Sequence, residues 1–253
     1  MIKLILQYIV YEFLFLKNKI LEILFSKVPE NIFEIPIIIN NRNRFEYLLK
    51  LINSLNKRGY FNIIIIDNDS TYPPLLEYYS NECKYEIIYL NKNLGHLALW
   101  KSKVFTRVKK SFYVYTDPDL MIFEECPVDF MQFLLNGLIE NPRVQKIGLG
   151  LITDDLPDSY YLKQSVIEWE KRFNEVEFNS YFFKAHVDTT FALYRPFANG
   201  GSHDFKLSLR TKYPYLLHHL PWYVNSKSLS DEDQFYLKNV RSSTFWSTKS
   251  KKN

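Results

Sequence analysis

The chain has 253 residues, 47% of them apolar and 24% charged, which is enough for one core with both faces of a sheet covered and too little for two full-sized domains. Lys and Arg number 32 against 28 Asp and Glu, a net charge of +4. These charges are scattered rather than striped and do not amount to a nucleic-acid footprint, so no nucleic-acid partner is expected. Cys83 and Cys126 form no CxxC pair, and GxGxxG, GxxxxGK[ST] and HExxH are all absent. A disulfide framework, a dinucleotide fingerprint, a P-loop and a zinc-protease motif are thereby set aside.

Residues 1–30 stand apart as an amphipathic helical segment. From Leu4 to Leu16 the chain is apolar except for Gln7 and Glu12, short of the roughly 20 residues that cross a bilayer as a helix. No small-residue cleavage site follows, which argues against a secretory signal. On a helix, Lys3, Gln7 and Glu12 fall near one side, with Ile5, Ile9, Phe13 and Leu16 opposite. Two readings are open: an interfacial helix with Lys3, Lys17, Lys19 and Lys27 toward anionic headgroups, or a helix packed on the domain or on a second subunit of a homo-oligomer.

Residues 31–253 read as one α/β domain. Ile35–Ile39 is a buried strand ending in Asn40-Asn41-Arg42-Asn43, followed by a helix through Leu48, Leu49, Ile52 and Leu55 that Gly59 stops. Phe61–Ile66 is a second buried strand, closed by Asp67-Asn68-Asp69-Ser70. A short helix over Leu75–Asn81 leads to a strand over Tyr85–Leu90 and the loop Asn91–His96. A helix over Leu97–Lys109 and a strand over Ser111–Thr116 follow, ending in Asp117-Pro118-Asp119. Beyond residue 125 the spacing predicts a helix over Phe130–Asn141, a strand over Lys146–Ile152 ending at Thr153-Asp154-Asp155, and a helix over Val166–Phe173. A strand over Ala185–Tyr194, an irregular stretch from Asn199 to Tyr223 and a last helix over Asp231–Asn239 complete the prediction. Such alternation implies a mostly parallel sheet with helices on both faces.

Ligands of such sheets bind beyond the carboxyl ends of the strands, where Asn40–Arg44, Asp67–Ser70, Asn91–His96, Asp117–Asp119 and Asp154–Asp155 gather. Asp117-x-Asp119 is the sharpest of these. Residues i and i+2 on a strand share a face, so both carboxylates can approach one hard cation, Mn²⁺ or Mg²⁺, which keeps open positions for a diphosphate. The bland alternative is a solvated Asp-Pro turn. The sequon Asn68-Asp69-Ser70 falls in the second of these loops, where a glycan would block a ligand. A cytoplasmic location is therefore expected, with peripheral contact to a membrane surface left open by residues 1–30.

These segments together resemble the GT-A class of nucleotide-sugar glycosyltransferases, close to the family-two type. The resemblance is carried by Ile35–Arg44, by Ile65-Ile66-Asp67-Asn68-Asp69-Ser70-Thr71, by Asn91-Lys92-Asn93-Leu94-Gly95 and by Tyr115-Thr116-Asp117-Pro118-Asp119, within residues 33–125. It implies a Rossmann-like GT-A fold, with residues 31–125 as the nucleotide-binding half and 126–253 as the acceptor half. It also implies a nucleotide-sugar donor, most often a UDP-sugar, and a glycan or other hydroxyl acceptor. Asp67 would accept a hydrogen bond from the base, Asn40 or Asn41 would contact base or ribose, and Asn93 belongs to the nucleotide-binding loop. Asp117 would reach ribose or metal, and Asp119 would bind the metal. The family's usual Asp-Asp-Gly-Ser is here Asp67-Asn68-Asp69-Ser70, and the absence of Gln-x-x-Arg-Trp speaks against a processive synthase.

An inverting transfer needs a carboxylate that takes the acceptor proton. Asp233 is the first candidate, at the start of the last helix, then Glu232. An acidic helix N-terminus is the competing explanation for both. Asp188, an acid inside an apolar strand, is the third. Asp231-Glu232 separated by four residues from Leu237 is also similar to some retaining enzymes, so the anomeric outcome stays open. His218, of the pair His218-His219, is the candidate histidine ligand of the metal. Arg210 and Lys212 are candidates to neutralise the diphosphate. Trp222, Tyr223 and Trp246 are candidates for stacking on a sugar, with core packing the plainer reading. Two other functions compete with sugar transfer. A sugar-phosphate nucleotidyltransferase would need a Gly-rich loop with Lys after the first strand, which Asn40–Arg44 lacks; a silent membrane-associated adaptor would bind no nucleotide.

Overall fold

Ile37, Ile38 and Ile39 are fully buried because their strand has neighbours on both sides and helices over both faces. The computed structural model describes residues 2–187, 190–200 and 208–239. In chain order the elements are α1 (Ile2–Phe25), β1 (Ile37–Asn41), α2 (Glu46–Asn56), β2 (Ile63–Asp67), α3 (Pro73–Asn81), β3 (Glu86–Tyr89), α4 (Ala98–Lys101), α5 (Phe105–Val108), β4 (Tyr113–Thr116) and β5 (Leu120–Ile122). They continue with α6 (Phe130–Glu140), β6 (Lys146–Gly148), β7 (Gly150–Leu151), α7 (Lys163–Lys171), β8 (Phe182–Lys184), β9 (Ala192–Tyr194), β10 (Ser208–Thr211), β11 (Leu216–His219) and α8 (Asp231–Asn239).

Among the described residues the larger sheet runs β3-β2-β1-β4-β9-β6-β10-β8 and a smaller one runs β5-β11-β7. β3, β2, β1 and β4 are parallel, and β9 is inserted antiparallel between β4 and β6. Successive side chains on a strand alternate faces, and the core divides accordingly. Ile37, Ile39, Ile63 and Ile65 pack with Leu48, Leu51, Leu75 and Leu134 of α2, α3 and α6. Ile38, Ile66, Tyr113 and Tyr115 pack with Ala98, Leu99 and Val108 of α4 and α5. The expected α/β class, a mostly parallel sheet with helices on both faces, is what the chain adopts.

Three expected elements differ. The helix expected over Leu97–Lys109 is broken: Ser102 is extended (φ −114°, ψ 169°), and its hydroxyl donates to the Leu99 carbonyl at 3.1 Å and accepts from Val104 N at 3.3 Å, replacing helical bonds. The strand expected over Lys146–Ile152 splits at Leu149 into β6 and β7, which belong to different sheets. Of the strand expected over Ala185–Tyr194, the described strand is β9, and Val187 instead packs on Gly148. The stretch expected to be irregular carries β10 and β11.

α1 lies across the amino-terminal edge of the sheet. Glu12 accepts from Arg143 Nη1 at 2.7 Å, and Glu22 accepts from Arg195 Nη1 at 2.9 Å. Burial lowers the Arg195 pKa, with Glu22 working against that shift.

A Cβ at Gly148 would stand 2.3 Å from Val187 Cγ1. Gly148→Ala should therefore destabilise the fold by about 1–3 kcal/mol, read as a lower urea midpoint with an unchanged slope.

Candidate active site

Strand register gathers the predicted polar ends at one rim. Asn41 pairs with Asp67 and Ile39 with Thr116, while Asp67 pairs with Tyr89. Asn43, Asp69 and Asn91 in the loops beyond have φ of 56°, 71° and 50°, a region Asn and Asp tolerate. Asparagine side chains tie these loops together. Asn43 Oδ1 accepts from Thr71 N at 2.6 Å and Tyr72 N at 3.0 Å. Asn68 accepts from Leu94 N at 2.7 Å and donates to the Gly95 carbonyl at 3.0 Å. Asn93 accepts from Gly95 N at 2.9 Å, so this predicted nucleotide-binding residue shapes its own loop.

Along the β1–β2 edge, Asn40 Oδ1, Asn41 Oδ1 and Asp67 Oδ1 are buried with no hydrogen-bond partner. Leaving acceptors unmatched costs about 1–3 kcal/mol each, so an edge built this way suits a ligand that brings donors. Asn41 donates to Tyr79 Oη and to the Arg44 carbonyl, both at 2.8 Å. Asp67 Oδ2 accepts from Ser70 N at 3.2 Å. Burial raises the Asp67 pKa, and the Ser70 bonds oppose that rise.

Asp119 leaves β4 with its backbone carbonyl accepting from Leu220 N at 2.8 Å. Its Oδ1 is buried without a hydrogen-bond partner and lies 3.8 Å from His219 Nε2. On β11 neighbouring side chains point to opposite faces. His219 therefore meets Asp119, while His218 turns away and meets Asp155 Oδ2 at 3.0 Å. Tyr223 Oη donates to the same carboxylate at 2.5 Å. The histidine beside the acidic pair is thus His219, not the expected His218. Among the described residues no three His, Cys, Asp or Glu side chains form a complete metal cage.

Arg44 sits at the centre of the rim. Its guanidinium lies 3.7 Å from the Tyr236 ring centroid and 4.9 Å from that of Tyr47, and Nη1 donates to Asp233 Oδ1 at 2.7 Å. Burial works against the Arg44 charge, but Asp119 and Asp233 outweigh it and the pKa is raised. Burial raises the Tyr236 pKa; Arg44 opposes, and Asp119 and Asp117 add to the rise. Asp119 and Asp233 thus act on Arg44, and Asp119 and Asp117 act on Tyr236, which stacks on Arg44. Arg44 therefore supplies a buried cation among these carboxylates.

Glu232 has a different job from the predicted one. Its Oε2 accepts from Phe45 N and Glu46 N, both at 2.6 Å, so it caps α2, whose own N-cap residue Phe45 supplies no side-chain bond. Burial raises the Glu232 pKa against the pull of these bonds and of Arg44. Asp233 also accepts from Tyr47 Oη at 3.2 Å and Ser230 Oγ at 2.8 Å. Arg210 is buried against Glu170 at 2.6 Å and Lys212 pairs with Glu177 at 2.6 Å. Both cations are committed away from the rim, contrary to their expected role. Trp222 is in a satellite core with Leu156, Tyr160 and Val166. Asp188 and Trp246 lie outside the described residues.

Arg44, Tyr47, Tyr236 and His219 escaped sequence reasoning as site residues. Arg44 lies in the loop after the first strand, but no spacing announces a partner 189 residues away. The strand parity that separates the two histidines becomes visible only once β11 is assigned.

A sequence model of glycosyl transferase family 2 matches residues 37–199. A search of curated proteins finds no match. Among solved structures, the chain is similar to S. aureus TarS (residues 1–349) with 15% identity over 74% of this chain and 60% of that one, TM-score 0.44. It is similar to GalNAc-T7 with UDP, GalNAc and Mn²⁺, with 15% identity over 76% and 44% of the two chains, TM-score 0.49. Glucosyl-3-phosphoglycerate synthase from Mycobacterium tuberculosis, in complex with phosphoglyceric acid, matches with 14% identity over 67% and 63%, TM-score 0.40. In each case the chain spans less than two thirds of the other's length.

A carboxyl whose pKa is raised by folding contributes its full stability below the ordinary range, about pH 4, and loses it as pH rises through the raised value. Asp67→Asn keeps the shape without the charge. It should gain stability relative to the parent as pH rises from about 4 to 7, measured by urea unfolding. A pH-independent difference would refute the buried-carboxylate assignment.

Proposed function

Because the chain belongs to glycosyl transferase family 2, we propose that it is a metal-dependent glycosyltransferase. In this reading it moves a sugar from a UDP-sugar to a hydroxyl of a glycan or other acceptor, with inversion. The observation that carries this is the single rim on which the unmatched oxygens of Asn40, Asn41 and Asp67 stand beside Asp117, Asp119 and Arg44. Uracil offers an N3–H donor, and Asp67 Oδ1 is a buried acceptor without one. Asn40 and Asn41 supply further acceptors for base or ribose.

The donor set fits a hard divalent cation. Asp119 Oδ1 is a buried orphan, its 3.8 Å separation from His219 leaves space between the two, and Asp117 is two residues away on the same rim. Mg²⁺ and Mn²⁺ complete their shells with water and substrate phosphate, so a protein cage of fewer than three ligands is consistent with such a site. Asp119 and His219 would hold Mn²⁺ or Mg²⁺, with Asp117 toward the ribose, and the cation would offset the charge that grows on the diphosphate as it leaves.

Asp233 is the proposed base. As the acceptor oxygen bonds to the anomeric carbon, the bond from that carbon to the diphosphate oxygen breaks. The acceptor proton passes to Asp233, and the nucleoside diphosphate departs. Arg44 and Tyr47 hold that carboxylate in one orientation. Glu232 acts one step back, by fixing α2 and through it Arg44. The expected cytoplasmic setting belongs to the same proposal.

Calorimetric titration of UDP with and without Mn²⁺ tests the donor site. Binding should require metal, and Asp119→Ala should weaken it by more than tenfold, His219→Ala by less. Absence of UDP binding in the parent would favour the silent-adaptor reading. With a turning-over acceptor, Asp233→Asn should lower kcat by about 10²–10⁴-fold with UDP affinity retained. Equal loss of both would make Asp233 a positioning residue for Arg44.

A further inference from the structure

A helix that packs on a soluble domain normally turns its apolar stripe inward. α1 does the reverse. It is tied to the domain by Glu12 to Arg143 and Glu22 to Arg195, with Arg143 over Phe15 at 5.0 Å and Phe15 and Leu21 half-buried. Its outward stripe is Leu6, Ile9, Phe13, Leu16, Ile20 and Ile23, at i, i+3 and i+4 spacing, of which Phe13 is 67% and Ile23 70% exposed. The sequence shows two faces. The structure decides that the charged one is the anchor to the domain, so the apolar one is presented.

We infer that α1 docks the protein on an anionic membrane surface, with the apolar stripe in the headgroup–acyl boundary and lysines at its edge. Charge selects this occupant. Lys17 and Lys27 are exposed beside the stripe, and Lys110 Nζ lies 5.4 Å from the Phe25 ring centroid. That contact brings Lys109-Lys110 of the domain to the same surface. Anionic lipid complements such a margin. A second copy meeting this face two-fold would bring the same lysines together, which is unfavourable. No described helix is long and apolar enough to cross a membrane, so the geometry is that of a helix lying on the surface. Arg143 and Arg195 stand at the sheet edge opposite Asp67 and Asp117, so the rim faces away from the bilayer. Docking itself does not rest on the glycosyltransferase reading.

The test is co-sedimentation of the full chain with vesicles of phosphatidylcholine alone, or with about a third phosphatidylglycerol. The anionic vesicles should bind at least tenfold more tightly, and added salt should weaken that binding. The triple variant Phe13→Ser, Ile20→Ser, Ile23→Ser should stop sedimenting, and Lys27→Glu with Lys110→Glu should lose the preference for anionic lipid. Circular dichroism and UDP titration of each variant should match the parent, which separates a failure here from a failure of the donor site. A parent that does not sediment, equal binding to both vesicles, or a serine triple that binds like the parent would overturn the proposal. So would a dimer in light scattering that the serine triple dissolves while vesicles are ignored.

Discussion

The contact on which the site depends is the buried clamp between α8 and the loop that joins β1 to α2. Glu232 caps α2 through two backbone amides, and Asp233 meets the Arg44 guanidinium at 2.7 Å. Tyr72 and Phe235, with ring centroids 4.9 Å apart, close the same joint. A buried ion pair repays its desolvation only with good geometry, and removing one partner leaves a stranded charge. Such a clamp adds little net stability and much definition: it settles where one cation stands among several carboxylates.

That placement connects the two ends of the described chain. The first strands bring Asn40, Asn41, Asp67, Asp117 and Asp119 to one edge, but acids alone would repel one another. Arg44 balances them and is itself held by residues from α8. The smaller sheet adds a second connection, since β11 from late in the chain pairs with β5 directly after the acidic pair and places His219 beside Asp119. The nucleotide-facing and late segments are interleaved, with β9 inserted between β4 and β6.

Legibility followed the range of the forces involved. β1, β2 and β4 could be read because strands covered on both faces are continuous apolar runs, and α8 because an acidic first turn precedes a helical stretch. The break at Ser102 rests on one hydroxyl competing with the helix, the split at Leu149 on where two sheets diverge, and β10 and β11 on neighbours that stabilise short, mixed segments. None of these has a local period to detect. The same holds for Arg210 and Lys212, which look like free cations in sequence and are paired with Glu170 and Glu177 in the fold.

The sequence by itself determined the fold class, the edge at which polar strand ends gather and the acidic pair Asp117 and Asp119, because burial pattern and strand parity are local properties. Tertiary structure alone decided that His219 rather than His218 faces Asp119, that Glu232 is a cap, that Arg44 occupies the acidic rim and that α1 turns its apolar stripe outward. Each of those depends on a partner far along the chain, and a side chain's direction has no meaning until the surface it meets has been built.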